Sequence, residues 1–161
     1  MTKENTKVKK GFTIIEVVLV LAIAGLIFLM VFVALPALQR SQRDTQRRDD
    51  MARLATAITQ FQTNNNNKVP MAMGNNKPSS ADFISKYLGG ADSFKDPDGE
   101  PYTISFNTGT SISVPASVNH TIYVNNKARC NGESVQGSGN TNDYVIVYKL
   151  EGSGTFCQDN Q

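Results

Sequence analysis

Paired metal ligands and nucleophile motifs are missing from this chain of 161 residues, which holds two cysteines, Cys130 and Cys157, and a single histidine, His120. Neither a C-x-x-C nor a histidine pair is present, which argues against a zinc centre. No G-x-S-x-G, P-loop or nucleophile triad pattern occurs, so the sequence points away from an enzyme and names no cofactor and no metal. Net charge is only +2, too little to mark a general nucleic-acid binder. Charge is also missing locally. From Val17 to Leu38 every residue is apolar, Gly or Pro, and the next charge is Arg40.

That uncharged run sets the organisation. As a helix its residues span about 33 Å, enough to cross a hydrocarbon core. Lys3, Lys7, Lys9 and Lys10 precede it against a single Glu4, and the positive-inside rule keeps them cytoplasmic. No A-x-A-like cleavage pattern follows Leu38, so the apolar segment is expected to remain in the mature chain. The two cysteines then lie outside, in a disulfide-permissive compartment. A bridge between them would close a loop of 28 residues, contributing roughly 3–4 kcal/mol by the chain-entropy argument. Glu16 is the anomaly, because a carboxylate at the edge of a membrane segment is expensive and usually marks a functional site with a partner. The bland alternative is a residue that snorkels or protonates.

The residues "KKGFTIIEVVLVLAIAGLI" resemble the N-terminal signature of the type IV pilin family, pseudopilins included. In that family a basic leader ends in Gly, the next residue is commonly Phe, and Glu stands fifth in the mature chain; Gly11, Phe12 and Glu16 match all three. The resemblance implies an α+β pilin fold: a long N-terminal α-helix, membrane-spanning in its first half, packed on a small antiparallel β-sheet head. It implies cleavage between Gly11 and Phe12 by a membrane prepilin peptidase, with N-methylation of Phe12. Glu16 would pair with the Phe12 amine of a neighbouring subunit, since a registered pair gains attraction in low dielectric where a single charge is penalised. Cutting before the apolar run also removes lysines that would otherwise pin the subunit in the membrane.

Beyond the apolar run, Gln39 to Thr63 contains no Gly or Pro, and Met51, Leu54, Ala55, Ile58 and Phe61 recur at helical spacing. One helix from Phe12 to Thr63 is therefore expected. Pro36 removes a backbone donor and predicts a kink. Gly25 lowers helix propensity, and the resemblance adds a stretched or melted segment between Gly25 and Pro36 in the fibre. Arg40, Arg43, Arg47, Arg48 and Arg53 interleave with Asp44, Asp49 and Asp50. They read as a solvated face with local ion pairs such as Asp44 with Arg47 or Arg48. Intersubunit salt bridges or DNA phosphates are the sharper alternatives, but no aromatic interleaves the arginines to stack on bases, so DNA binding is unsupported.

The asparagine-rich stretch after Thr63, with Pro70, Gly74 and Pro78, reads as a loop. "SSADFISKYLGG" reads as a short helix with Ser79 or Ser80 at its start and Gly89 at its end. Alternating runs in "PYTISF", "SISV", "HTIYV" and "DYVIVYKL" predict three or four antiparallel strands, with His120 in one of them. Asp98-Gly99 in "KDPDGEPY" is a turn signal. The segment is also similar to one in the major pseudopilins of type II secretion, whose heads bind calcium. Asp96, Asp98 and Glu100 offer oxygen ligands there, but their spacing falls short of a calcium loop.

The expected division is a cleaved leader at 1–11, an apolar transmembrane and filament-core helix at 12–38, its amphipathic continuation at 39–63, and an α+β head at 64–161 with a disulfide-bounded C-terminal region. The resemblance implies a single-pass cytoplasmic-membrane precursor, head outside, that becomes a homo-oligomeric helical filament on the surface. It also implies assembly machinery with separate ATPases, twitching motility, and adhesion to a host or cell-surface target. Two other readings stay open. One is a pseudopilin of a type II secretion or competence (DNA-uptake) system, and the other is a membrane-anchored binding domain that never polymerises.

Overall fold

The pattern of three- and four-residue spacing resolves into a helix, α1, Ile14–Asn64. A computed structural model describes residues 11–109, 112, 114, 116–137, 139–152 and 154–160. The lysine-rich leader, apart from Gly11, lies outside the described residues. The chain forms two compact units, residues 1–38 and 39–161. In the first, the described side chains of α1 are almost wholly exposed, among them Ile14, Leu26, Phe32 and Leu38. α1 is helical through Gly25 and Pro36.

In the second unit one stripe of α1 is buried, with Met51, Leu54, Ala57, Ile58 and Phe61 facing the core. The helix ends in the asparagine run. Asn66 and Asn67 adopt left-handed backbone (φ 53° and 61°), the Asn67 amide donates to the Gln62 carbonyl at 2.8 Å, and Asn65 Nδ2 donates to the Phe61 carbonyl at 2.8 Å. Asparagine tolerates this conformation better than most residues, so the run caps the helix as well as ending it. A 3-10 segment, Pro70–Asn76, follows. Next comes α2, Ser80–Tyr87, whose N-cap Ser79 accepts from the Asp82 amide. Its end is closed by Gly89 and Gly90, both at positive φ, with the Gly90 amide donating to the Ile84 carbonyl.

Among the described residues, six strands complete the head: β1 Thr103–Thr108, β2 Thr121–Asn126, β3 Arg129–Asn131, β4 Ser134–Gln136, β5 Tyr144–Lys149 and β6 Thr155–Asp159. Four form one sheet in the order β1-β2-β5-β6, and β3-β4 make a separate hairpin. The architecture is α+β and pilin-like. One pairing departs from the all-antiparallel expectation: β1 and β2 are parallel, with Thr103 opposite Thr121. The other two pairings are antiparallel. The reason is the connection. Residues 109–120 are too many for a tight hairpin and long enough to return the chain to the start of a parallel neighbour. Of the expected "SISV" strand, Ser111 and Ser113 lie outside the described residues, while Ile112 and Val114 are in no strand. They pack instead on Ala128, Val145 and Val147.

β5 explains where the core sits. Tyr144 to Tyr148 are all buried, as befits a central strand covered on both faces. Tyr144, Ile146 and Tyr148 join α1, α2 and the aromatic cluster of Phe61, Phe83 and Phe106. Val145 and Val147 face a second, smaller cluster that includes Cys130 and Cys157. Those cysteines form the disulfide, with a Cα–Cα distance of 5.8 Å. It ties the β3-β4 hairpin to β6.

Candidate functional site

Two places on the molecule concentrate charge against apolar surroundings. The first is the start of α1. Gly11, Phe12 and Thr13 are not helical and Ile14 opens the helix. Thr13 and Glu16 hold each other across the first turn. Glu16 Oε2 accepts from the Thr13 backbone amide at 3.0 Å and from Thr13 Oγ1 at 2.9 Å, and the Glu16 amide donates to Thr13 Oγ1 at 3.4 Å. This is the reciprocal capping box that T-x-x-E at a helix start produces. The spacing was legible in the sequence, but it was read there only as part of the leader signature.

Around this turn the surface is apolar and unpartnered. Phe12 is 90 % exposed, and Phe12, Glu16, Val17, Val20 and Leu21 line one shallow concavity. An exposed carboxylate in such a setting is suited to receive a cation while the surrounding side chains bury area against another helix.

The second place lies within the 39–161 unit, on the part of α1 that meets the sheet. Sequence reasoning treated its arginines as a solvated face, and for Arg47 that is corrected, since its side chain is fully buried. Arg47 Nε and Nη2 donate to the two Asp96 oxygens at 2.8 and 2.7 Å. Its Nη1 donates to Asp44 at 3.0 Å and Nη2 also to Glu151 at 2.9 Å. Asp44 in turn accepts the backbone amides of Glu151 at 3.0 Å and Gly152 at 2.7 Å. Arg43 closes the outside of the cluster on Glu151 at 2.6 Å.

A buried guanidinium is tolerable when its charge is compensated and most of its donors are taken up, and here three carboxylates accept four hydrogen bonds from it. Burial works against its charge, yet the hydrogen bonds it donates to Asp96 and Glu151 outweigh it, and the Arg47 pKa is raised. Burial likewise opposes the Asp96 carboxylate, but Arg47 and the Tyr148 hydroxyl, donating at 2.8 Å, hold it below the ordinary range. The Arg43 hydrogen bond lowers Glu151, partly against desolvation. A signal for this cluster was present in the sequence: Asp44 and Arg47 continue the buried stripe of Met51, Leu54, Ile58 and Phe61 at three- and four-residue steps.

Of the other predicted positions, Asp98 and Gly99 form the expected turn, with Gly99 at φ 99° and its amide on the Asp96 carbonyl. His120 is not in a strand. It precedes β2 at φ 56°, with Nε2 2.7 Å from Asp98 Oδ2. Asp96, Asp98 and His120 bring one ligand atom each within 4.8 Å, but both Asp96 oxygens are already engaged by Arg47 and Tyr148. Glu100 is exposed and donates its amide to Asp98.

A single helix long and apolar enough to cross a membrane, found among the described residues, joined to an α+β head with a disulfide, defines a pilin-like architecture. Residues 6–32 match the family model of the prokaryotic N-terminal methylation motif, the class III signal peptide of type IV pilins. The motif indicates a type IV pilin-like or pseudopilin-like precursor. That motif implies prepilin peptidase processing and filament assembly in general, and together with the apolar helix it fits membrane anchoring before assembly. The match ends at residue 32 and does not reach the head. No curated protein and no solved structure matches the chain.

Proposed function

We propose that this protein is a structural subunit of a type IV pilus. It is stored in the cytoplasmic membrane with its head outside, cut between Gly11 and Phe12, methylated at Phe12 and assembled into a surface filament used for adhesion or twitching motility. The division follows the function: leader 1–11, filament-core helix 12–38, its continuation 39–63 and head 64–161. The observation that carries the reading is the exposed apolar face of residues 12–38 with Glu16 at its start, inside the matched methylation motif. Such a face needs lipid or copies of itself to cover it. Glu16 then pairs with the Phe12 amine of the next subunit and sets the stagger. Gly25 and Pro36 mark where the helix can stretch to fit its neighbours.

The competing reading is a pseudopilin of a secretion or competence system. The similarity of "KDPDGEPY" to a pseudopilin segment favours it. The two separate in one experiment: the intact mass and N-terminal peptide of the protein in filaments sheared from cells. A chain beginning at methylated Phe12 and abundant in that fraction is the expected result. A processed chain confined to the envelope points to the pseudopilin. A chain still beginning at Met1 overturns both.

A further inference from the structure

Among the asparagines of this chain, Asn131 alone is followed by Gly. The pair sits at the tip of the β3-β4 hairpin, where Asn131 closes β3 opposite Ser134 and leaves Gly132 and Glu133 as a two-residue turn. Gly132 takes φ 63°, a conformation that glycine enters without strain. The turn thus selects, directly after Asn131, the one residue whose amide no side chain shields.

Asparagines elsewhere in the head are held. Asn65, Asn107, Asn119, Asn126 and Asn160 all make side-chain hydrogen bonds. Asn131 is exposed, and among the described residues neither its side chain nor the Gly132 amide has a hydrogen-bond partner. The chain's one Asp-Gly pair gives the contrast. At Asp98-Gly99 the glycine amide is committed to the Asp96 carbonyl at 2.8 Å, and the Asp98 carboxylate to His120 and the Glu100 amide.

We propose that Asn131-Gly132 is a site of spontaneous deamidation, in which the Gly132 amide nitrogen attacks Asn131 Cγ. The N–Cγ bond forms, the Cγ–Nδ2 bond breaks, and ammonia leaves with the proton of the Gly132 amide. Water then opens the succinimide at either carbonyl, leaving aspartate or isoaspartate at position 131. An extended residue holds its side-chain carbonyl away from the next amide, so the pairing of Asn131 with Ser134 opens first. The cost is small, because strands of three residues make up this separate two-stranded sheet and such a hairpin is marginal by itself. The product sets a second carboxylate near Glu133, whose Oε2 accepts the Thr155 amide at 3.3 Å. Isoaspartate also adds a methylene to the main chain beside the disulfide at Cys130. The exposed tip changes charge and shape with age, whether or not the chain polymerises.

The test incubates the full chain, folded in detergent micelles, in mildly alkaline buffer. A guanidinium-unfolded sample beside it serves as the clock. Every asparagine peptide is followed by mass spectrometry, with fragmentation that separates aspartate from isoaspartate. Asn131 is expected to convert before any other asparagine, to both products, while Asp98 stays unchanged. Gly132→Ala should slow the conversion about tenfold, equivalent to about 1.4 kcal/mol in the barrier. Loosening of the turn by Ala at positive φ would by itself speed it, so the slowing identifies attack by the following amide. A folded chain still intact when the unfolded sample has fully converted overturns the proposal. So does earlier reaction at another asparagine, aspartate as the sole product, or a parental rate in Gly132→Ala.

Discussion

Arg47 and Asp96, 49 residues apart in sequence, meet through two hydrogen bonds of 2.8 and 2.7 Å with both side chains withdrawn from solvent. The bidentate geometry fixes the rotation of α1 against the segment that leads into β1, since a one-residue turn of the helix would carry Arg47 off its partner.

Arg47→Ala leaves Asp96 buried without its cation. It should lower head stability by about 3–5 kcal/mol, read as a reduced urea midpoint in tyrosine near-UV signals. Arg47→Lys keeps the charge but loses the fork, and should recover only part of that loss. Equal stability of Arg47→Ala and the parent would refute the clamp.

The same cluster makes the head acid-sensitive. Asp96 and Glu151 are held below the ordinary carboxyl range in the folded state. Their contribution is therefore complete above the unfolded carboxyl value, about 4, and is lost as pH falls through the lowered folded values. Asp50 works in the opposite sense, since burial raises its pKa despite Arg53, and its protonation favours the folded state. Glu151→Gln should flatten the decline in urea midpoint at the acid end, and an unchanged slope would assign the decline to other groups.

Gly152 is required by a close approach. Its amide donates to Asp44 Oδ2 at 2.7 Å, and a Cβ placed there would lie 2.9 Å from the same oxygen. Gly152→Ala should cost about 1–3 kcal/mol by weakening that bond. Gly132→Ala, where a Cβ meets nothing within 4 Å, separates strain at positive φ from collision. Unfolding midpoints that leave Gly152→Ala at parental stability would contradict the account.

The disulfide joins β3 to β6 across the smaller cluster. Replacing Cys130 and Cys157 together by Ser should lower stability by roughly 2–4 kcal/mol. It should also raise amide exchange in β3 and β4 before β5, because β5 retains its own pairing on both sides. Simultaneous loss of protection in both regions would mean the hairpin is integral to the sheet's stability.

At the helix start, capping and assembly come apart. Thr13→Ala removes the cap hydroxyl and should fray the first turn, at about 1 kcal/mol. Filament yield should stay near normal because Glu16 keeps its charge. Glu16→Ala should abolish filaments while the subunit remains in the membrane. Loss of filaments from Thr13→Ala to the same extent as from Glu16→Ala would show that capping, rather than charge, is what Glu16 contributes.

The membrane-length helix, the processing signature and the buried stripe of α1 were legible in the sequence because each is local. An uncharged run, a short ordered motif and a three-to-four spacing are properties of neighbouring residues. α2 was legible for the same reason, through Ser79 and the Gly89-Gly90 stop. β3, β4 and β6 were not, since strands of three to five residues carry too little alternation to stand out. Nor was the parallel pairing of β1 with β2, which depends on how a twelve-residue connection returns.

The sequence by itself determined that an apolar helix opens the chain, that Glu16 stands at its threshold, and that an α+β head with one cysteine pair follows. Tertiary structure alone decided that Arg47 is buried instead of solvated. An arginine's place is set by whether distant carboxylates arrive to occupy its donors, and Asp96 and Glu151 are brought there only when the turn before β1 and the turn after β5 close on the helix.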